Sequence, residues 1–382
     1  MRTYLRLALF FLALAALVWW GRAPLKEAAE RLSEGQSERG DQARGPLRIF
    51  SPDEDDKAQV EPRFRTEERA HIEPGSPLLV ELVEAPATHY GQATMSESDQ
   101  HYRRLSRRMD GLRYEAAMGH AARELAGFHS QHEQLASGEV LSFLLDAGAA
   151  AEWSVEQIVK VTSQEGDAAI EDLLARVAES WQRGTAPLRI GIGEAWTLGR
   201  PARRHIIALV SRGRLEIDRV PREVALNSSL EVSGRLPPDI AEIEVLVMGP
   251  DLVVKDAALN QSGQRFKSII PVGDVAGQAW IELIGIGPEG PKPMAQLSVF
   301  IQDELPWTME THWPADESHL SSVAQAEAHA LMLFQADRER FGLAPLRRSE
   351  ELDAVARAHS EDMAANRFFA HVSPQSGSVS DR

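Results

Sequence analysis

Ser349-Glu350-Glu351-Leu352-Asp353-Ala354-Val355-Ala356-Arg357-Ala358-His359-Ser360-Glu361-Asp362-Met363 opens the stretch on which the chain is read, and Phe368-Phe369-Ala370-His371-Val372-Ser373-Pro374 closes it. Ser349 predicts a helix N-cap, and Glu350 and Glu351 fall in the first turn, facing the positive end of the helix dipole. Leu352, Val355, Ala356, His359 and Met363 recur at helical spacing and form one face, which runs out at Asn366. A preceding helix carries Ala326, Ala330, Leu333, Phe334 and Phe341 at steps of three and four. Gly342 ends it, and Pro345 cannot continue it.

These residues resemble a family. Leu331, Gln335, Arg338 and the run Gly342-Leu343-Ala344-Pro345-Leu346 are similar to the opening helix of the CAP superfamily, the SCP-like extracellular domain. That superfamily includes cysteine-rich secretory proteins, antigen 5 and plant pathogenesis-related proteins. Leu352, Ala356, His359-Ser360, Asp362-Met363, Phe368-Phe369, His371, Ser373-Pro374, Gly377 and Asp381-Arg382 resemble its second helix and the histidine loop after it. Gln335 departs from the family, which usually has Asn there. The resemblance implies a Gly-Glu-Asn strand, a helix with a second histidine and closing strands beyond Arg382, so residues 322–382 are expected to be the N-terminal part of such a domain. Two amphipathic helices alone are a marginal domain. Their apolar face is expected to stay uncovered, and His371 alone to hold metal poorly.

The composition fits a globular, exported chain. At 382 residues, 43% hydrophobic and 26% charged, it has material for two or three domains. A formal charge of −16 argues against a nucleic-acid or anionic-membrane binder. With no cysteine, disulfides, thiolate metal sites and a Cys nucleophile are excluded, which fits a bacterial-type member. Arg2 and Arg6 precede the apolar run Leu7–Trp20, so residues 1–20 are expected to be a signal peptide or a membrane anchor. Trp19 and Trp20 suit a membrane interface. Residues 21–75 are charged, with Asp53-Glu54-Asp55-Asp56, and are expected to be a disordered linker.

Residues 76–213 predict a mixed α/β unit. A strand covers 78–83, a helix runs from Tyr102 to His129, and a second helix from Glu139 ends at Gly148. Strand 158–162, helix 168–182 and strands 188–193 and 205–210 follow. This order, with Glu156-Gln157-Ile158 and Ile190-Gly191-Ile192-Gly193, resembles the CAP fold again and implies a diverged second copy. His129 and His132 lie near the first histidine position but lack the Ser-Pro that follows His371, and read as surface or capping residues. Gly191 and Gly193 lack the third glycine of a dinucleotide loop and read as glycines that permit close packing within a sheet.

Residues 214–303 hold seven short β-rich runs separated by Pro and Gly turns. They predict an immunoglobulin-like sandwich able to fold alone, with Trp280 in its core. Residues 304–321 are expected to be a linker. His312 and His319, with Glu310, Asp316 and Glu317, match no metal-ligand spacing. The expected fold class is therefore multidomain: a CAP-like α/β unit, an all-β immunoglobulin-like sandwich, and the helical start of a CAP domain.

The resemblance singles out His371. In the family the matching histidine lines a central cleft with a second histidine and two acidic residues, a set suited to a divalent cation such as zinc. No cofactor and no catalytic residue is expected from the residues present. The leading expectation is a non-enzymatic module outside the cytoplasmic membrane, secreted, periplasmic or anchored, whose ligand is lipid, cell-wall polymer or protein. A metal-assisted hydrolase and a purely structural envelope protein are the alternatives.

Overall fold

A computed structural model describes residues 73–91, 93–181, 187–197, 201–287, 290–314, 317, 319–340, 342–366, 373 and 375–377, and the backbone of 48–50. The expected signal or anchor at 1–20, most of the charged segment 21–75, and His371 lie outside the described residues. Among the described residues the protein is a mixed α/β chain with six helices and five sheets. It divides into two compact units, of which the smaller holds, among the described residues, 286–287, 290–292 and the chain from Glu317 onward.

The larger unit begins with a three-layer arrangement. One sheet has the order β1 (Arg48–Phe50), β5 (Val155–Thr162), β7 (Arg203–Ser211), β6 (Leu188–Thr197), β4 (Leu112–Tyr114). Its three central strands are antiparallel, and β1 and β4 are parallel edge strands. Helices cover both faces, as the period of two along β7 dictates. Ile207 and Leu209 face α2 (Ala116–His132) and α3 (Gly138–Ala147). Ile206, Ala208 and Val210 face α1 (Glu97–Ser106) and α4 (Ala168–Trp181).

Two glycines set the closest contact in this layer. A methyl group on Gly191 would lie 2.2 Å from the Met118 carbonyl carbon, and one on Gly193 2.2 Å from that of Ala122. Gly191 and Gly193 therefore let α2 rest directly on β6, backbone against backbone. Close packing is what these glycines permit, as expected, but against a helix rather than within the sheet.

The helix expected over 102–129 is broken in two. α1 starts at a capping box in which Ser96 accepts from the Asp99 N–H and Asp99 accepts from the Ser96 N–H. It ends before Gly111, whose φ of +80° suits glycine. Leu112 and Tyr114 then point into the core from β4 before α2 begins. Apolar residues spaced for a helix serve here as a short strand between two helices, and Gly111 is the signal that separates them.

Two further sheets pack face to face. One has the order β10 (Glu223–Val224), β17 (Gly290–Ile301), β16 (Gly277–Gly287), β12 (Glu242–Met248), β13 (Val254–Asp256). The other runs β14 (Leu259–Ser262), β15 (Arg265–Pro271), β11 (Ser229–Arg235), β8 (Glu216–Ile217). Their shared core holds Val232, Val245, Phe266, Ile281, Leu283 and Leu297. Trp280 is not in that core. It alternates with Ile281 and lies half-buried on the opposite face of β16. The core also takes Tyr90 and Ala149 from outside 214–303, so the segment expected to fold alone shares its interior with the α/β layers. Tyr90 belongs to β3 (His89–Tyr90), which pairs with β9 (Val220–Pro221).

The segment expected as a linker at 304–321 contains a strand, β18 (Thr308–His312), paired antiparallel with β2 (Pro77–Glu81). Trp313 follows and is buried against Phe128 and His132, with ring centroids 5.7 and 5.1 Å away. Burial of Trp313, with Met309 packed beside it, makes this segment part of the fold rather than the connector expected.

In the smaller unit, α5 (Val323–Arg340) and α6 (Glu350–Asn366) are joined through Glu327, which pairs with Arg348 and Arg357. Gln335 accepts from the Leu346 N–H and donates to the Leu346 carbonyl, at 2.8 and 2.6 Å. No described residue of α6 is buried, and Leu352 is 70% exposed.

Candidate functional site

Within the larger unit a cleft of about 840 Å³ opens where the α/β layers meet the paired β-sheets. Its walls are two sheet edges. β4 ends the first sheet and β8 ends the four-stranded sheet, and residues of both line the cleft. An isolated bridge between Glu152 and Ala295, both lining residues, joins the two sides.

Four carboxylates line the cleft and each is matched by arginine. Arg189 Nη1 donates to Glu152 Oε1 at 2.6 Å, and Nη2 to the Leu215 carbonyl at 2.7 Å. Glu152 also accepts from the Ser211 hydroxyl at 2.7 Å. Arg113 reaches Glu115 at 3.0 Å and Glu216 at 3.4 Å. Asp218 pairs with Arg265 at 2.6 Å and accepts from Ser233 at 2.8 Å. The Arg265 guanidinium and the Ser233 hydroxyl hold the Asp218 carboxyl below its ordinary range, against the opposing effect of burial. Glu115 behaves differently. Burial pushes its carboxyl up despite Arg189 and Arg113, and its Oε1 makes no hydrogen bond.

Arg103 and Arg107 remain. They sit one turn apart near the end of α1, exposed, on the cleft wall. Arg103 Nη1 donates to the Met95 sulfur at 3.5 Å, and neither arginine has an acidic partner among the described residues. Behind them a buried network fixes the wall. Asp99 accepts from the Tyr114 hydroxyl at 2.6 Å and from Arg123 at 2.7 Å, and Arg123 grips Glu84 through two bonds of 2.6 and 2.8 Å. Tyr114, on the edge strand, is thereby locked to α1 and α2.

The histidines weighed from the sequence separate. His129 is buried, its Nδ1 2.9 Å from Nδ1 of His205. His132 packs on Phe128 and Trp313. His329, rather than His312, meets Glu317, at 2.8 Å, and His319 lies against the His329 ring. No group of three metal-ligating side chains occurs among the described residues. His371 is outside them. Sequence reasoning misses Arg103 and Arg107; the signal available is Arg103-Arg104 and Arg107-Arg108 at four-residue spacing in an acidic chain.

The fold and this cleft define a mixed α/β protein of several sheets, with a two-walled groove lined by paired charges. No protein-family model matches the chain. Over 61 residues it is 43% identical to Uncharacterized protein YkwD of Bacillus subtilis (strain 168), a match covering 16% of this chain and 24% of that one. The chain thus spans about a quarter of that relative's length. A DUF4785 family protein from Legionella pneumophila is similar over 29% of this chain and 32% of that chain, at 9% identity and a TM-score of 0.18, too remote a likeness to bear on the fold.

Proposed function

We propose that this chain is an exported or membrane-anchored, non-enzymatic binding protein of the cell envelope or exterior. In this reading residues 76–213 are a diverged CAP-like unit, 214–303 an immunoglobulin-like sandwich, and 322–382 the start of a second CAP domain. The helix-sheet-helix layering about β5, β7 and β6 supports the first assignment, and two sheets about one core support the second. The Phe368-Phe369-x-His371-x-Ser373-Pro374 motif supports the third.

The observation that carries the binding role is the chemistry of the cleft. Its carboxylates are held in ion pairs, and among the described lining residues no nucleophile stands beside a general base. A groove of fixed, paired charges recognises a ligand without transforming it.

Cell fractionation of the native host, followed by co-sedimentation of the full chain with isolated envelope, tests this. Recovery outside the cytoplasmic membrane and saturable sedimentation are expected. A cytosolic chain sinks the reading. Turnover of envelope material that depends on added zinc would favour the metal-assisted hydrolase instead.

A further inference from the structure

We propose that the cleft takes an extended acidic peptide, which adds as a strand along β4 and places carboxylates against Arg103 and Arg107. This deepens the binding role argued above and rests on it. Three observations converge.

The first is an open edge. Leu188 N–H donates to the Gly111 carbonyl at 2.7 Å, and Glu115 N–H to the Ile190 carbonyl at 2.9 Å. In a parallel ladder only alternate residues of a strand bond to one neighbour. With Arg113 registered against Arg189, the odd-numbered residues of β4 therefore turn their backbone groups to β6. Those of Leu112 and Tyr114 face away from β6, at the end of the sheet. Leu112 N–H is already taken by the Met109 carbonyl at 3.4 Å, and among the described residues the Leu112 carbonyl and both groups of Tyr114 have no backbone partner. Unpaired edge groups of this kind are what an added strand satisfies.

The second is charge. Arg113, Arg189 and Arg265 already match the four lining carboxylates, so Arg103 and Arg107 are two cations without an acidic partner among the described residues, in a chain whose formal charge is −16. They select an anionic ligand locally, while the chain as a whole repels long polyanions.

The third is spacing. Side chains four apart on a helix lie about 6 Å from one another. Side chains two apart on a strand lie about 7 Å from one another on one face. A peptide with acids at alternate positions therefore meets both arginines at once, and charge-assisted bonds to guanidinium groups favour that match.

The test is fluorescence anisotropy with the full chain and three labelled eight-residue peptides: alternating Glu and Val, alternating Lys and Val, and the Glu-Val peptide N-methylated at every second amide. Saturable binding of the Glu-Val peptide is expected, weakening as salt rises. The Arg103→Ala/Arg107→Ala variant is expected to bind about tenfold more weakly with an unchanged melting temperature, because both side chains are exposed. The N-methylated peptide keeps the charge and blocks strand pairing, so it is expected to bind much more weakly. Equal binding of the Lys-Val or N-methylated peptide, indifference to the arginine variant, or no binding at all would overturn the proposal. Because purified protein is used, such a failure leaves the envelope location to stand or fall by fractionation.

Discussion

Arg222 Nη2 donates to Asp146 Oδ2 at 2.6 Å, and this ion pair ties the paired β-sheets to helix α3. Arg222 is wholly buried between the rings of Tyr90 and Phe300, with centroids 5.4 and 5.6 Å from its guanidinium carbon. Its Nη1 donates to the Ala87 carbonyl at 2.9 Å, its backbone N–H to the Thr88 carbonyl at 3.0 Å, and its Nε makes no hydrogen bond. Tyr90 donates to the other Asp146 oxygen at 2.6 Å and accepts from the Ser298 N–H at 2.8 Å.

This network predicts a non-additive mutation pair. Asp146→Ala strands a buried guanidinium, and Arg222→Leu strands a carboxylate; each single change is expected to cost about 3–5 kcal/mol. The double variant Arg222→Leu/Asp146→Ala is expected to cost less than the sum, because no charge is left unpaired. Urea denaturation of the four proteins measures the coupling, and strict additivity would contradict the role given to the pair. By the same reasoning, a fragment cut to 214–303 loses Tyr90 and Ala149 from its core and is expected to melt lower than a fragment spanning 73–315.

The glycines of β6 give a prediction with an internal control. A methyl at Gly191 or Gly193 meets backbone atoms at 2.2 Å, and a helix backbone cannot rotate aside as a side chain can. Gly191→Ala and Gly193→Ala are each expected to cost about 3 kcal/mol, the upper end for an overpacked interior. Gly127 sits inside α2 with nothing within 4 Å of an added methyl. Gly127→Ala is therefore expected to stabilise by about 0.5–1 kcal/mol through helix propensity. Thermal melts of the three variants settle the sign of each.

Residue by residue, what could be read from the sequence was periodicity and punctuation. The apolar run Ile206 to Val210 and the helix read from Glu139 to Gly148 mark elements that form where expected, because local pattern and burial agree there. Facing was harder. Trp280 and Ile281 are adjacent and both apolar, and only the partner sheet decides which one enters the core. The cleft was not legible. Arg103 and Arg107 acquire their meaning from β8, more than 100 residues away in sequence, and no short-range pattern encodes that neighbour. The Tyr90–Asp146–Arg222 cluster was missed for the same reason.

Glu282 predicts stability that falls as pH rises. It is 2% exposed, both its oxygens are without hydrogen bonds, and burial raises its pKa to about 7. The folded protein holds this proton more tightly than the unfolded chain, where the ordinary value is 4.5. Stability from this group is full below pH 4.5 and is lost as pH climbs through 7, a difference of about 3 kcal/mol. Glu282→Met is expected to stabilise the protein at pH 8 and to change little at pH 4.5.

The buried histidine pair acts in the opposite sense over nearly the same range. Thr197 Oγ1 donates to the Ser130 carbonyl at 3.0 Å, so its oxygen accepts from His205 Nε2, 2.7 Å away. His205 Nδ1 then carries the lone pair, and His129 Nδ1–H donates to it at 2.9 Å. Protonating His205 would set two N–H groups against each other. Burial, then His205 and Arg203, lower the His129 pKa to about 4, and burial with Arg203 lowers that of His205. A histidine whose folded pKa is depressed contributes stability that is present above the unfolded value of 6.5 and is lost as pH falls through 4. For His129 that loss is about 3 kcal/mol, similar in size to the gain from Glu282 on acidification. Over pH 4.5–6.5 the two slopes largely offset each other, and the wild-type urea midpoint is expected to change little from these groups. The variants separate them: Glu282→Met is expected to lose stability on acidification across that range, and His129→Asn to gain it. Parallel pH profiles for the two variants would refute both assignments.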